Sequence, residues 1–371
     1  TWSQLLRGAG YETYMTGKWH VGGLDTEKIF DHVVHVRPGM PNQTDAGYRR
    51  PVEGKPDAWS PYDRQFDGFW KGGKHWSEVL ADDATEYLQH AAQQDKPFFM
   101  YLAFNAPHDP RQSPKEFVDQ YPLENVKTPK NFLAEYPYKA DIGCYPLRDE
   151  NLAPWPRTEY AVRVHRQEYF AIISHMDQQI GRILAALDAS GKRDDTYIFF
   201  SADHGLACGR HGLLGKQNMY EHSMRPPLVV VGPKIPQGEK REAPVYLQDI
   251  VPTTLELAGV DKPEQMEFQS LAPRIADPNA ASAYDAIYGC YLAKLQRMIR
   301  VGDWKLIVYP EAKVVRLFNL EDDPLEMNDL AGESGQAGRI QRLFRRLLEL
   351  QRQMDDTLDL TAAFPALAQD S

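Results

Sequence analysis

The sequence predicts an α/β protein, with a mainly parallel sheet flanked by helices and a small C-terminal α+β domain built on an antiparallel sheet. Three observations carry this. Short continuous apolar runs, Phe98–Phe104 (FFMYLAF), Tyr197–Ala202 (YIFFSA) and Leu228–Val231 (LVVV), have the length and β-branched or aromatic content of buried strands. Stretches with apolar residues at three- and four-residue spacing lie between and beside them. From about residue 283 the texture changes to short apolar segments separated by turns.

In chain order, Thr1–Gly10 (TWSQLLRGAG) reads as the end of a helix, with apolar Trp2, Leu5 and Leu6 and a glycine stop, so the chain reads as beginning in mid-fold. Residues 11–24 (YETYMTGKWHVGGL) place Lys18 and His20 in a glycine-flanked turn. Ser77–Ala92 has a helical pattern. The FFMYLAF strand follows Pro97 and ends at Asn105-Ala106-Pro107. Residues 105–165, rich in Pro, Tyr and charge, read as a long insertion over the site or as a solvated connector. His165–Leu187 is the clearest helix: Tyr169, Ile172, Met176, Ile180, Ile183 and Leu187 recur on one face, and Gly191 stops it. The segments AIYGCYL, RMIRVG, WKLIVY and VVRLFNL then predict the antiparallel sheet, closed by the amphipathic helix Arg339–Met354. The expected domains are 1–270 and 271–371.

The 371 residues suffice for one large domain and a smaller one, and 42% hydrophobic with 11% aromatic residues supports a large core. Net charge is -10 with no basic block, which argues against a nucleic-acid partner, since phosphate neutralisation needs clustered Lys and Arg. No apolar run reaches the ~18 residues of a membrane helix. The three cysteines, Cys144, Cys208 and Cys290, make no disulfide framework. The first residue is Thr and no signal peptide is visible, so periplasmic or extracellular and cytoplasmic locations both stay open.

In open α/β sheets the site lies beyond the carboxyl ends of the strands, and the polar clusters fall there. Asn105-Ala106-Pro107-His108 follows the first apolar strand, and Asp203-His204-Gly205 follows the second. Cleaving a sulfate or phosphate ester requires neutralised non-bridging oxygens, a nucleophile, and an acid for the leaving group. Lys18 and Lys216 have the charge for the oxygens, His20 and His108 can donate or shuttle protons, and Asp203 suits a hard cation, with His204 as a nitrogen neighbour. Each residue alone has a simpler reading as a surface lysine, a structural histidine or a turn. Their combination at strand ends points to a site.

These residues resemble the type I sulfatases. The resemblance runs through Gly10-Tyr11-Glu12-Thr13, Gly17-Lys18-Trp19-His20-Val21-Gly22, Pro107-His108, Ser201-Ala202-Asp203-His204-Gly205, His211-Gly212 to Lys216, Tyr220-Glu221 and Arg225-Pro226-Pro227. It continues in RVGDWKL (300–306) and LFNLEDDPLEMNDL (317–330). It implies the alkaline-phosphatase-like fold and hydrolysis of a sulfate ester, of a sulfated carbohydrate or small ester, by a formylglycine made from Cys or Ser in C-x-P-x-R. It also implies that Lys18, His108 and Lys216 bind the sulfate. His20 would serve the formylglycine hydroxyls and His108 the leaving oxygen. Asp203 and His204 would bind a divalent metal, usually calcium, although an imidazole at His204 suits softer ions.

The chain departs from that pattern in one respect. In the family the formylglycine motif and an Asp-Asp metal pair precede GKWH, and here only 17 residues precede Lys18, with neither motif among them. Cys144-Tyr145-Pro146-Leu147-Arg148 fits C-x-P-x-R but lies after His108, out of order, and Cys208 reads as a packing residue. The expectation is an N-terminally truncated sulfatase whose nucleophile comes from upstream, inactive alone. Two alternatives stand beside it: a phosphonate monoester or phosphodiester hydrolase of the same superfamily, and a non-catalytic fragment that binds sulfated glycans. Trp155, Arg157, Arg148 and the tyrosines of 105–165 suit a sulfated saccharide, or the packing of the loop onto the body.

Overall fold

The computed structural model of the protein describes residues 1–41, 45–145 and 147–369. Helix α1 (Trp2–Gly8) ends where expected, ahead of Gly10 at φ +94°. It feeds β1 (Glu12–Lys18), which lies between β2 (His32–Arg37) and β3 (Phe98–Ala103), all parallel. The expected turn around Lys18 is therefore strand up to Lys18 itself. The reason is the central position of β1, whose residues Thr13 to Gly17 are all buried. Periodicity in YETYMTGK does not reveal this, because a doubly flanked strand has no polar face to alternate.

Helices α2 (Trp76–Ala92) and α3 (Glu159–Ala189) cover the sheet. Leu80, Ala84 and Leu88 meet Ile183 and Leu187, and Phe98, Met100 and Leu102 of β3 pack against them. Helix α3 starts earlier than its apolar stripe suggests because Thr158 caps it, accepting from the Ala161 amide at 3.1 Å.

Strands β4 (Ile198–Ser201) and β5 (Leu228–Val231) pair antiparallel. The sequence predicts both as buried, and the structure leaves them half-buried, with Phe200, Val229 and Val231 exposed. Ile198 joins the α2–α3 cluster, so one face is supported. Among the described residues no strand pairs with the outer edge of β3 or of β4.

The antiparallel sheet runs β6 (Ile287–Tyr291), β7 (Gln296–Val301), β8 (Trp304–Tyr309), β9 (Val314–Asn319), as predicted. Both its faces are buried. Leu306 and Val308 pack under α4 (Ala337–Gln353), against Leu343, Phe344 and Leu347. Each such side chain contributes about 1.5–3 kcal/mol on burial. Ile307 and Tyr309 point the other way, to Tyr136, Leu213 and Tyr220, beside the loop that carries Lys216. Lys305, fully buried, bonds Glu221 at 3.0 Å and Glu326 at 2.8 Å, a second tie to that loop. No helix among the described residues is long and apolar enough to cross a membrane.

Candidate active site

Lys18 ends β1. The strand shifts register between Thr16 and Gly17, and Gly17 sits at φ +97°. A Cβ there would lie 2.0 Å from the Ala103 carbonyl oxygen, so only glycine lets β3 run this close to Lys18. Asp203 lies two residues beyond β4, and its Oδ2 accepts from Lys18 Nζ at 2.9 Å, across 185 residues of sequence. His204 donates through Nδ1 to the Gly205 carbonyl at 3.0 Å and turns Nε2 to within 3.5 Å of Asp203 Oδ2. Burial alone would raise the Asp203 carboxyl, but His204 and the Lys18 ammonium outweigh it and hold it low.

His108 follows β3 on a loop tied to β2, because the Asn105 amide donates to the Pro38 carbonyl at 2.8 Å. His108 Nδ1 donates to the Asp109 carbonyl at 2.9 Å, which leaves Nε2 to accept from Lys216 Nζ at 3.1 Å. Burial lowers the His108 imidazole. The Asp109 carboxylate pulls it back up, Lys216 pushes it down again, and the result lies below the ordinary value. The ring is thus neutral, with its acceptor toward the ammonium.

Lys216 also bonds Asp149 Oδ2 at 2.9 Å. Asp149 is the residue that the sequence reading missed. Burial favours its neutral form, yet Lys216, the Gln217 amide at 2.8 Å and Arg148 reverse this and drive its carboxyl far down. Next to it, the buried Glu150 carboxylate takes the amides of Leu214 at 3.0 Å and Gly215 at 2.8 Å and pairs with Arg157 at 2.7 Å. Arg157 in turn donates to the Gly212 carbonyl at 3.2 Å and stacks on Trp155. A buried ion pair therefore sets the turn that presents Lys216. Part of the predicted insertion is scaffold: Arg157 and Trp155 pack, whereas Arg148 reaches the site. The signal that could have found Asp149 was RDE at 148–150, an acidic pair beside an arginine in a Pro-rich segment.

The two pairs share one field, since the Lys216 charge bears on both Asp203 and His204. The structure brings together Lys18, His108, Lys216, Asp203 and His204. It does not link His20 to them by any hydrogen bond or ion pair among the described residues; that ring is exposed and lies over Gly39, where a Cβ would be 2.4 Å from Nδ1.

Neither reactive group implied by the resemblance is assembled by the residues present. Asp203 and His204 offer one carboxylate, with one of its two oxygens shared with an ammonium, and one imidazole, far short of the six to eight oxygens of calcium. Among the described residues no cluster of three or more His, Cys, Asp or Glu could hold a metal. Cys144 points into the core and donates to the Gln217 carbonyl at 3.0 Å, and burial pushes its thiol well up. It is not placed as a nucleophile, and Pro146 of that C-x-P-x-R match lies outside the described residues. Cys208 is buried beside Arg111, whose Nη2 lies 3.8 Å from Sγ.

The sulfatase family profile matches residues 2–260, and that of the N-sulphoglucosamine sulphohydrolase C-terminal region matches residues 209–353. Arylsulfatase K of Xenopus laevis is 30% identical over 285 residues, 70% of this chain and 52% of that protein. Arylsulfatase K of Danio rerio is 28% identical over 358 residues, 90% of this chain and 65% of that protein. The chain thus spans between half and two thirds of the length of these curated relatives. Among solved structures, a protein in complex with its substrate D-glucosamine-2-N,6-O-disulfate aligns over 96% of this chain and 82% of its own, with TM-score 0.74 and 25% identity. A phosphonate monoester hydrolase from Silicibacter pomeroyi aligns over 98% of this chain and 81% of its own, with TM-score 0.75 and 20% identity, which bears on the fold. On the profile match over more than half of its length, the chain belongs to the sulfatase family.

Proposed function

We propose that this chain supplies the sulfate-binding and leaving-group side of a sulfuric ester hydrolase acting on a sulfated saccharide. The observation that carries the reading is Lys216 held between His108 Nε2 and Asp149 Oδ2, in one field with Lys18, Asp203 and His204. Lys18 and Lys216 neutralise the ester's non-bridging oxygens; sulfate would replace part of their present ion pairing. His108 and Lys216 form one proton-holding unit: the ammonium carries the proton, the imidazole accepts from it, and either can pass it to a departing alkoxide. Divalent metal, calcium by family habit, and formylglycine would add a Lewis acid and a nucleophile. Asp203 and His204 furnish two donors toward such a cation, and no step is assigned to groups these residues do not assemble. We keep 1–270 as the region carrying this site and 271–371 as its supporting domain.

The test is calorimetric titration of the chain with inorganic sulfate and with an aryl sulfate, beside a turnover assay. Binding that Lys216→Met removes, without hydrolysis, is the expected pattern. Substantial calcium-dependent hydrolysis by the 371-residue chain would contradict the assignment of its role. Tighter binding of a phosphonate monoester than of the matching sulfate would favour the phosphonate reading, and retained glycan binding in a chain that no added segment activates would favour a binding fragment.

A further inference from the structure

Lys216, His108 and Lys18 account for one sulfate, and Arg148, a partner of Asp149, is a third cation beside them. It opens the short turn Arg148–Leu152, with its side chain 26% exposed. Its Nη2 lies 2.5 Å from Asp149 Oδ1 and 3.7 Å from Asp109 Oδ2. Its Nε is buried and has no hydrogen-bond partner, and the same holds for Asp109 Oδ2 and for the Tyr48 hydroxyl. These groups share one electrostatic neighbourhood, because Asp109, Arg148 and Asp149 all bear on Tyr48. Buried polar atoms are normally satisfied, so three orphans in one electrostatic neighbourhood mark hydrogen-bonding capacity left over.

Asp149 explains the placement. One of its oxygens holds Lys216 and the other holds Arg148, so a single carboxylate sets two cations side by side. Arginine offers donors in a rigid fork that matches a planar carboxylate or two sulfate oxygens, and the Arg148 side chain is partly exposed beside Lys216. Its contact with Asp109, at 3.7 Å, is an ion pair beyond hydrogen-bonding distance.

We propose that Arg148 is a specificity-determining residue that binds a second anionic group, carboxylate or sulfate, on the same saccharide ring whose sulfate Lys216 and His108 hold. This rests on the sulfate-ester reading above. Substrates bearing one sulfate and no second anion occupy the first subsite alone.

Isothermal titration of the chain with glucosamine 6-sulfate and with D-glucosamine-2-N,6-O-disulfate separates the two claims. The disulfate is expected to bind about tenfold or more tighter, the margin of one charge-assisted contact. Arg148→Gln is expected to erase that margin, read as the ratio of the two affinities within the same variant, because any shift of Asp149 and Lys216 falls on both sugars alike. Arg148→Lys, which keeps the charge without the fork, is expected to restore part of it, and it carries the test if the glutamine variant does not fold. A margin unchanged in both variants, or equal binding of the two sugars by the unaltered chain, overturns the role of Arg148 alone. Failure of the unaltered chain to bind either sugar overturns both claims.

Discussion

Two lysine–aspartate pairs share the electrostatic field of this site, and their carboxylates differ sharply. The Asp149 side chain is 5% exposed, against 60% for Asp203. Asp149 is held by Lys216, Gln217 and Arg148 on a turn that the Glu150–Arg157 pair locks from beneath. Asp203 holds Lys18 and a distant His204 and faces solvent. A buried carboxylate with its partners filled is a counter-charge that fixes a cation in place. An exposed one with a single partner is a group with valence to spare for a ligand. The first half of the site is scaffolded and the second half is receptive.

The comparison breaks most visibly at Glu150. Glu150→Ala leaves the Arg157 guanidinium buried and unpaired, and the loss is expected to be about 3–5 kcal/mol of unfolding free energy in urea, with disorder of the Lys216 turn. A change under about 1 kcal/mol would mean that the turn does not depend on this pair. Next in size, Lys216→Met should weaken sulfate binding by at least about tenfold, as loss of a charge-assisted contact implies. Lys18→Met should cost less, because Lys18 already shares its charge with an exposed carboxylate.

Acid sharpens the contrast. The folded Asp149 carboxyl lies far below its ordinary 3.8, so its ionised form adds stability that is full above that value and lost as pH falls through the lower folded value. Asp149→Asn should therefore flatten the acid limb of stability below about pH 4, read by thermal melts across pH. Buried neutral histidines act in the same direction at higher pH. His75, lowered to about 3 by burial and by His175, resists protonation in the folded state. Stability should then decline as pH drops below the ordinary 6.5, and a melting temperature that stays flat from pH 7 to 4 would contradict this. The smallest effect belongs to Asp203→Asn, expected to change unfolding free energy by no more than about 1 kcal/mol, since exposed ion pairs contribute little. A larger loss would place Asp203 with the scaffold and dissolve the distinction between the two halves.

Much of the fold was legible because hydrophobic periodicity is local. The runs FFMYLAF, LVVV and RIQRLFRRLLELQRQM became β3, β5 and α4 within a residue or two. Strand β1 was less legible, since burial on both sides leaves no alternation to read. Of the clustered charges, His108 and Asp203 were singled out by their positions after apolar runs, and Lys18 and Lys216 by side-chain charge and motif resemblance. Asp149 and Glu150 were not, and Arg157 was left between a saccharide contact and loop packing, because a charged residue in a Pro-rich segment looks the same whether it is solvated or buried.

Sequence alone determined which elements form and which side chains carry charge or titrate, since propensity, periodicity and side-chain chemistry belong to each residue and its near neighbours. Only the tertiary structure decided which charges meet. Lys18 reaches Asp203 across 185 residues, and Lys216 finds Asp149 and His108 on two other loops. Electrostatic roles depend on distance and burial, and neither exists until the chain has packed.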